Sequence, residues 1–240
     1  MHQDDANAPL IVPKHIGIIA DGNRRWARQH GLPAYEGHLA GYNALKEVVF
    51  KAFDEKIEYV SLYLFSTENW QRSSQEVGKI MQLLLSLFKS DLKEYIRRGI
   101  RLRVLGVRDG LSDKVAAALD DAERQTAHLT NGTIALCFNY GGRREVLDAA
   151  KAMFIEAEQK GIAIDALDED DLARHLYAPD MPPLDMIVRT SGEQRLSNFM
   201  LWRGAYSELL FIDTLLPDIR VEHLDLIVHE FNLRGRRFGS

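Results

Sequence analysis

Six short apolar runs alternate with longer stretches of helical periodicity, and this alternation limits what the chain can fold into more than any other feature. The runs fall at residues 15–20, 59–65, 101–106, 133–139, 186–189 and 209–212. Helical patterns occupy 23–30, 39–56, 74–99, 113–128, 143–161, 168–177 and 221–232. Near-continuous apolar strands belong to sheets covered on both faces, and parallel neighbours need a crossover, usually helical, between them. The reading is an α/β fold: a single domain with a central, mostly parallel six-stranded sheet flanked by helices. With 240 residues, 46% of them hydrophobic, the chain can fill such a core. The proline-containing stretch 178–183 reads as a loop feeding the strand at 186, and no repeat or low-complexity segment appears. Residues 1–14 are expected to be a flexible segment ahead of one catalytic domain spanning 15–240.

Several function classes are disfavoured at once. A net charge of -5 argues against bulk nucleic-acid binding, which usually shows as a basic domain. The only cysteine, Cys137, lies in the apolar run IALCFN and has no partner for a disulfide or a metal-ligand spacing. The start of the chain lacks the basic and apolar blocks of a signal peptide, and no apolar stretch approaches the roughly 18 residues of a spanning helix. A cytoplasmic location is the expectation. The pattern over 74–99 is unusually wide: Val77, Met81, Leu84, Phe88, Leu92 and Tyr95 form one stripe, and Ile80, Leu83 and Leu87 add a second. One stripe is enough to cover a sheet. The extra width implies ordinary core, a subunit interface or the wall of a pocket for an apolar chain.

Ligands of open α/β sheets bind outside the carboxyl ends of the strands, so the residues after each run carry the information. The first run is followed by Asp21-Gly22-Asn23-Arg24-Arg25-Trp26, and the second by Ser66-Thr67-Glu68-Asn69-Trp70-Gln71-Arg72. After the fourth comes Asn139-Tyr140-Gly141-Gly142-Arg143-Arg144, and the fifth opens onto Arg189-Thr190-Ser191-Gly192-Glu193-Gln194-Arg195-Leu196-Ser197. Arginine forks match phosphate oxygens, while glycine and helix N-termini bring backbone N–H groups to an anion. Asp21 would repel phosphate unless a hard cation lay between them, and magnesium held by one or two carboxylates and phosphate oxygens is the usual mediator. One Asp-Gly pair is commonly just a turn. Four such segments at strand ends indicate a phosphorylated substrate with Mg2+. The phosphate loop, dinucleotide fingerprint, zinc-protease motif and nucleophile elbow are all missing. His15 at a strand start reads as structural, whereas His38, just ahead of the second helical pattern, is a candidate phosphate contact.

These residues resemble a known family, the cis-prenyltransferases. HIGIIADGNRRWA is similar to the first family signature, LYLFSTENWQR to the second, FNYGGRREV to the third, and IVRTSGEQRLSNFMLW with AYSELLF to the last. The match covers nearly the whole chain in the expected order. The resemblance implies condensation of isopentenyl diphosphate with an allylic diphosphate, giving a Z-polyprenyl diphosphate and releasing diphosphate. It implies Asp21 and Asn69 as catalytic residues and Asp21 with Glu208 at magnesium. Gly22, Asn23, Arg24, Arg25, Trp26, His38 and Arg72 would bind the allylic diphosphate. Arg189, Arg195 and Ser197 would take that of isopentenyl diphosphate, with Phe65, Ser66, Thr67, Glu68 and Trp70 near the reacting carbons. The loop at 71–76 is expected to close over substrate. The terminal Arg237-Phe238-Gly239 resembles an ending that reaches the partner's site, which implies a homodimer with at most peripheral membrane contact.

Some positions depart from the family pattern. Pro33-Ala34-Tyr35-Glu36 replaces a stretch that often holds arginine, Arg24 replaces a common glycine, and Gln194 stands where some members have histidine. Leu64 occupies a tunnel position where long-chain enzymes often carry alanine, which implies a short or medium product. The alternatives are a long-chain undecaprenyl diphosphate synthase, an irregular synthase of the same fold, a non-catalytic partner subunit and a generic phosphate-binding module. Asp21, Asn23, Arg25 and Arg72 are all present, which speaks against the last two.

Overall fold

The central apolar runs become strands because the elements around them bury them on both faces, while the two edge strands are only partly covered. The structure is a computed structural model describing residues 10–234. In chain order it contains β1 (His15–Ile19), α1 (Asn23–Gln29), α2 (Ala34–Asp54), β2 (Tyr59–Ser66), α3 (Ser74–Arg98), β3 (Ile100–Leu105) and α4 (Asp113–Thr126). There follow β4 (Gly132–Tyr140), α5 (Gly142–Lys160), α6 (Glu169–Ala173), β5 (Met186–Arg189), β6 (Glu208–Phe211) and α7 (Glu222–Arg234). The sheet order is β3-β4-β2-β1-β5-β6, and every neighbouring pair is parallel. β1 and β5 are buried along their whole length.

One face of the sheet holds the larger core, where Ile16, Ile18, Val60, Leu62, Ile134 and Leu136 meet apolar residues of α2, α3, α4 and α7. Fully burying one such side chain contributes about 1.5–3 kcal/mol. The other face packs Ile19, Tyr63, Cys137 and Ile187 under Met181, Leu184, Phe199 and Met200. Polar groups on that side are paired. His15 meets Ser61 Oγ at 2.8 Å and the Pro182 carbonyl at 2.9 Å. Glu145 lies buried with Arg203 at 2.7 Å, and it also accepts from the Tyr140 hydroxyl and the Tyr177 N–H.

Two expectations change. α2 begins at Ala34 with Pro33 as its N-cap, so His38 lies inside the helix and not ahead of it. α6 stops at Ala173. A 3-10 turn over Thr67–Gln71 follows β2. Ile11 is tied to α7: its N–H donates to Asn232 Oδ1 at 2.8 Å and its carbonyl accepts from Asn232 Nδ2 at 2.9 Å. The register between β2 and β4 also shifts at Leu64, where Tyr63 pairs with Cys137 and Phe65 with Phe138. That bulge breaks the alternation of faces, so both Leu64 and Phe65 turn toward the larger core.

Candidate functional site

β1 and β5 lie side by side, and at their carboxyl ends two residues distant in sequence meet. Arg189 Nη2 donates to Asp21 Oδ2 at 2.9 Å, while Gly22 N–H donates to Oδ1 at 2.7 Å. Thr190 fastens the turn, accepting from Asp21 N–H at 2.9 Å and donating to the Asp21 carbonyl at 2.6 Å. Gly22 has φ 109, and a Cβ there would lie 3.0 Å from Leu215 Cα, so the turn into α1 requires glycine. Burial pushes the Asp21 carboxyl up, but the hydrogen bond and charge of Arg189, the Gly22 N–H and Arg25 outweigh it and hold the group below the usual carboxylate range. Asp21 is therefore an ionised, half-exposed carboxylate. Arg189 is only 5% exposed, and its Nε has no partner.

α1 carries Asn23 and Arg25 into the mouth of the site. Arg25 donates to the Ser191 carbonyl at 3.0 Å and to the Ser191 hydroxyl. Asn23 fits a notch in α2, where a Cβ on Gly41 would sit 2.0 Å from Asn23 Oδ1. Its Nδ2 donates to His38 Nδ1 at 3.3 Å. Burial and then the charge of Arg72 lower His38 to about 4, so the ring is neutral at pH 7. Because Nδ1 accepts, Nε2 bears the proton, and that atom is buried without a partner. Arg72 closes the opposite side, 3.2 Å from Glu76. Between them the 3-10 turn is locked by a capping box, in which Ser66 N–H donates to Asn69 Oδ1 at 3.2 Å.

Below this polar mouth lies an apolar cavity of about 260 Å³. Asp21, Asn23, His38, Arg72 and Arg189 line its top, and Leu64, Phe65, Ile80, Leu83, Leu84 and Leu87 its walls. The wide stripe of α3 is thus a pocket wall along this face. A separate apolar void of about 40 Å³ continues past Leu64, bounded also by Tyr42, Tyr95, Leu102 and Leu136. Trp70 packs edge-to-face on Phe65 at 5.2 Å and donates to Asn139 Oδ1 at 2.7 Å.

Further polar groups adjoin the mouth of this cavity. Arg189 also donates to Ser197 Oγ at 2.8 Å and to the Arg195 carbonyl, shaping a loop in which Ser191, Ser197, Asn198 and Met200 all have positive φ. Such backbone strain persists where surrounding structure over-determines it. Asn198 Nδ2 donates to Glu68 at 3.0 Å, and Asn198 Oδ1 accepts from Arg143 N–H at 2.8 Å. Thr67 stands beside Gly141 and donates to Glu68 at 3.2 Å.

Not every expected residue joins the site. Trp26 stacks on His30 at 4.1 Å and donates to Asp218 at 2.9 Å, away from the cavity lining. Arg24 and Arg195 sit at the rim, 61% and 59% exposed, pairing with Glu76 and Glu193. Glu208 lies apart from Asp21 within one chain: it stands at the amino end of β6 in register with Met186, while Asp21 lies two residues past the carboxyl end of β1. Five residues of strand separate the two levels, roughly 16 Å, so within one chain they cannot share an ion. Glu208 instead faces Arg234 at 3.8 Å. Residues 237–239 lie outside the described residues. Tyr42, Thr190 and Ser191 belong to the site but were not assigned roles from sequence; Thr190 and Ser191 stand inside a motif, and Tyr42 carried no signal.

Asp21 suits magnesium in one respect: it is an ionised hard-oxygen ligand at the edge of a cationic mouth. Among the described residues no cluster of three or more His, Cys, Asp or Glu could hold an ion alone. Substrate phosphate oxygens and water would have to complete the shell, the usual arrangement for this ion.

The chain matches the profile of the Prenyltransf family, the undecaprenyl diphosphate synthase family, over residues 19–239. It is 42% identical to isoprenyl transferase 2 of Bradyrhizobium diazoefficiens, over 95% of this chain and 91% of that one. It is also 42% identical to the trans,polycis-polyprenyl diphosphate synthase ((2Z,6E)-farnesyl diphosphate specific) of Thermobifida fusca, over 100% of this chain and 86% of that one. The crystal structure of lavandulyl diphosphate synthase from Lavandula x intermedia in complex with dimethylallyl diphosphate superposes with a TM-score of 0.91 at 31% identity, covering 95% and 99% of the two chains.

Proposed function

The chain belongs to the undecaprenyl diphosphate synthase family of isoprenyl transferases, and from that premise we propose that it elongates an allylic diphosphate with isopentenyl diphosphate in the cavity beneath Asp21 and Arg189. The carrying observation is that cavity itself, whose anion-binding mouth opens directly onto apolar walls at the carboxyl end of the sheet. A prenyl diphosphate has this same division between charged head and apolar tail.

In this reading Arg25, Arg72, Asn23 and the N–H groups at the start of α1 grip the allylic diphosphate, and neutral His38 donates from Nε2 to one of its oxygens. Arg189, Ser197 and Arg195 hold the diphosphate of isopentenyl diphosphate at the side of the mouth beneath the loop that follows β5. Asp21 is the residue that would hold magnesium, which would neutralise charge developing on the departing diphosphate. Asn69 acts by fixing the turn that carries Trp70 and Arg72. Phe65 and Trp70 wall the reacting carbons from water. Leu64, on the same face of β2 as Val60 and Leu62, separates the cavity from the void beyond and supports a short or medium product. Ligand pockets commonly run to roughly 300–1,000 Å³, and a cavity of about 260 Å³ is small by that measure.

The same proposal includes one catalytic domain, a cytoplasmic location and a homodimer. Leu147, Phe154 and Ile155 expose apolar surface on α5, which supports a covered face. No helix among the described residues is long and apolar enough to cross a membrane. The test is a radiolabelled isopentenyl diphosphate assay with magnesium, offering dimethylallyl, geranyl and farnesyl diphosphates separately. Expected is incorporation with at least one starter, ending at C10 to C35. A ladder to C55 would overturn the product length, and no incorporation with any starter would overturn regular condensation. Coupling of dimethylallyl diphosphate alone would indicate the irregular reaction, a second reading supported by the likeness to lavandulyl diphosphate synthase.

A further inference from the structure

An apolar tunnel should end in apolar side chains, yet this one ends against a buried polar group. The Tyr42 hydroxyl donates to Asp91 Oδ2 at 2.5 Å and shares a hydrogen bond with the Tyr95 hydroxyl at 2.9 Å. Lys46 donates to the same Asp91 oxygen at 3.2 Å. Tyr42 and Lys46 are on α2, whereas Asp91 and Tyr95 are on α3, so each of these bonds between α2 and α3 ties the two helices together. The Tyr42 proton is committed to Asp91, which makes Tyr95 the donor to Tyr42 and leaves one continuous chain of bonds. The ion pair is shielded, its side chains 18% and 13% exposed. Burial raises the Tyr42 hydroxyl, so it remains a donor.

The location gives this chain a function. Tyr42 lines both the main cavity and the void beyond it, as do Leu64, Leu84 and Leu87. Asp91 and Lys46 line neither. A growing apolar chain that fills the cavity therefore arrives at Leu64 and at the ring of Tyr42. To pass, it must spread α2 from α3 and strand the Tyr42 hydroxyl without a partner, while Asp91 keeps only its bond from Ser90 at 2.9 Å. Hydrogen bonds to charged groups resist such separation more strongly than neutral ones.

We propose that the Tyr95–Tyr42–Asp91–Lys46 chain is a specificity-determining latch that holds the far end of the tunnel shut and so sets product length; this rests on the reading that the cavity houses the growing chain. The ring of Tyr42 supplies bulk, but the bond to Asp91 fixes its position. Leu64 and the latch act at the same constriction by different means, one steric and one polar.

The test compares product lengths from the full-length wild type with those of Tyr42→Phe, Asp91→Ala and Leu64→Ala. All are given radiolabelled isopentenyl diphosphate, magnesium and the starter the wild type prefers. Tyr42→Phe keeps the ring and removes only the hydroxyl. It and Asp91→Ala should each raise the ratio of longer to wild-type product roughly tenfold, the effect of losing one charged-group hydrogen bond. If urea unfolding shows Asp91→Ala to be unfolded, Asp91→Asn keeps the shape and removes the charge, and the same increase is required of it. Longer products from Leu64→Ala with unchanged products from the latch variants would overturn the latch and leave the cavity reading intact. Unchanged products from all three would remove the cavity from length control, and the latch with it.

Discussion

Asp21→Asn changes one charge and almost no volume, so its effects can be signed from the geometry. In the wild type one carboxylate oxygen faces Arg189 and the other faces the Gly22 N–H. An amide can accept from only one of them, and its NH2 then opposes the other donor. Leaving one donor unsatisfied costs about 1–3 kcal/mol of stability, which urea unfolding would register. Binding of inorganic diphosphate separates the possible roles further. Two unit charges about 4 Å apart repel by roughly 4 kcal/mol at an effective dielectric of about 20. Asp21 is half-exposed, so solvent screening reduces that to about 1–2 kcal/mol. Without magnesium, the variant should therefore bind diphosphate roughly 5–30-fold more tightly than the wild type. With magnesium the order should reverse, because only the wild type offers a carboxylate to the ion. Turnover should fall about 100–1,000-fold. Calorimetric titration with and without magnesium reads the binding terms directly. Equal gains from magnesium in both proteins would refute the assignment of Asp21 to the ion, whatever the loss of turnover.

Arg203→Met leaves Glu145 charged and buried, and should lower unfolding free energy by about 3–5 kcal/mol in urea titration, with part of that recovered by adding Glu145→Gln. His15 and His38 are both lowered to about 4 in the folded protein, from an ordinary value near 6.5. The unfolded chain therefore binds their protons first, so stability is full above pH 6.5 and declines as pH falls toward 4. Each ring should remove about 2 kcal/mol at pH 5 relative to pH 7.5, and His38→Asn should abolish one share. Gly41→Ala places a methyl 2.0 Å from Asn23 Oδ1 and should raise KM for the allylic diphosphate more than it lowers the unfolding midpoint.

The strands and most helices were legible because apolar period and element length agree over long stretches. The four cationic strand ends were legible for a related reason: parallel topology delivers residues after β1, β2, β4 and β5 to one edge. What escaped depends on register and close packing. The second helix was expected to start at residue 39 but starts at Ala34, and Gly41 gave no sign in the sequence of being the notch that seats Asn23. Leu64 keeps the facing of Val60 and Leu62, but Phe65 joins it on the same face only because of a bulge, which no alternation of residue types announces. Glu208 lies within a motif-like run, but motif order does not reveal at which end of a strand a carboxylate emerges. Tyr42, Lys46, Asp91 and Tyr95 resemble ordinary amphipathic residues until α2 and α3 are packed together.

The hydrogen bond from Arg189 to Asp21 joins residues 168 positions apart. β1, made first, has β2 on one side and β5 on the other, so one of its edges stays unpaired until residues 186–189 have been synthesised. A chain emerging from the ribosome thus possesses most of its sheet before it possesses Arg189 and the loop that follows it. Contacts of such high sequence separation form late and slow the final folding step. The completed mouth is consequently a checkpoint on synthesis itself: a chain truncated before β5 keeps the residues proposed to grip the allylic diphosphate but lacks Arg189, Arg195 and Ser197, so it cannot hold both substrates.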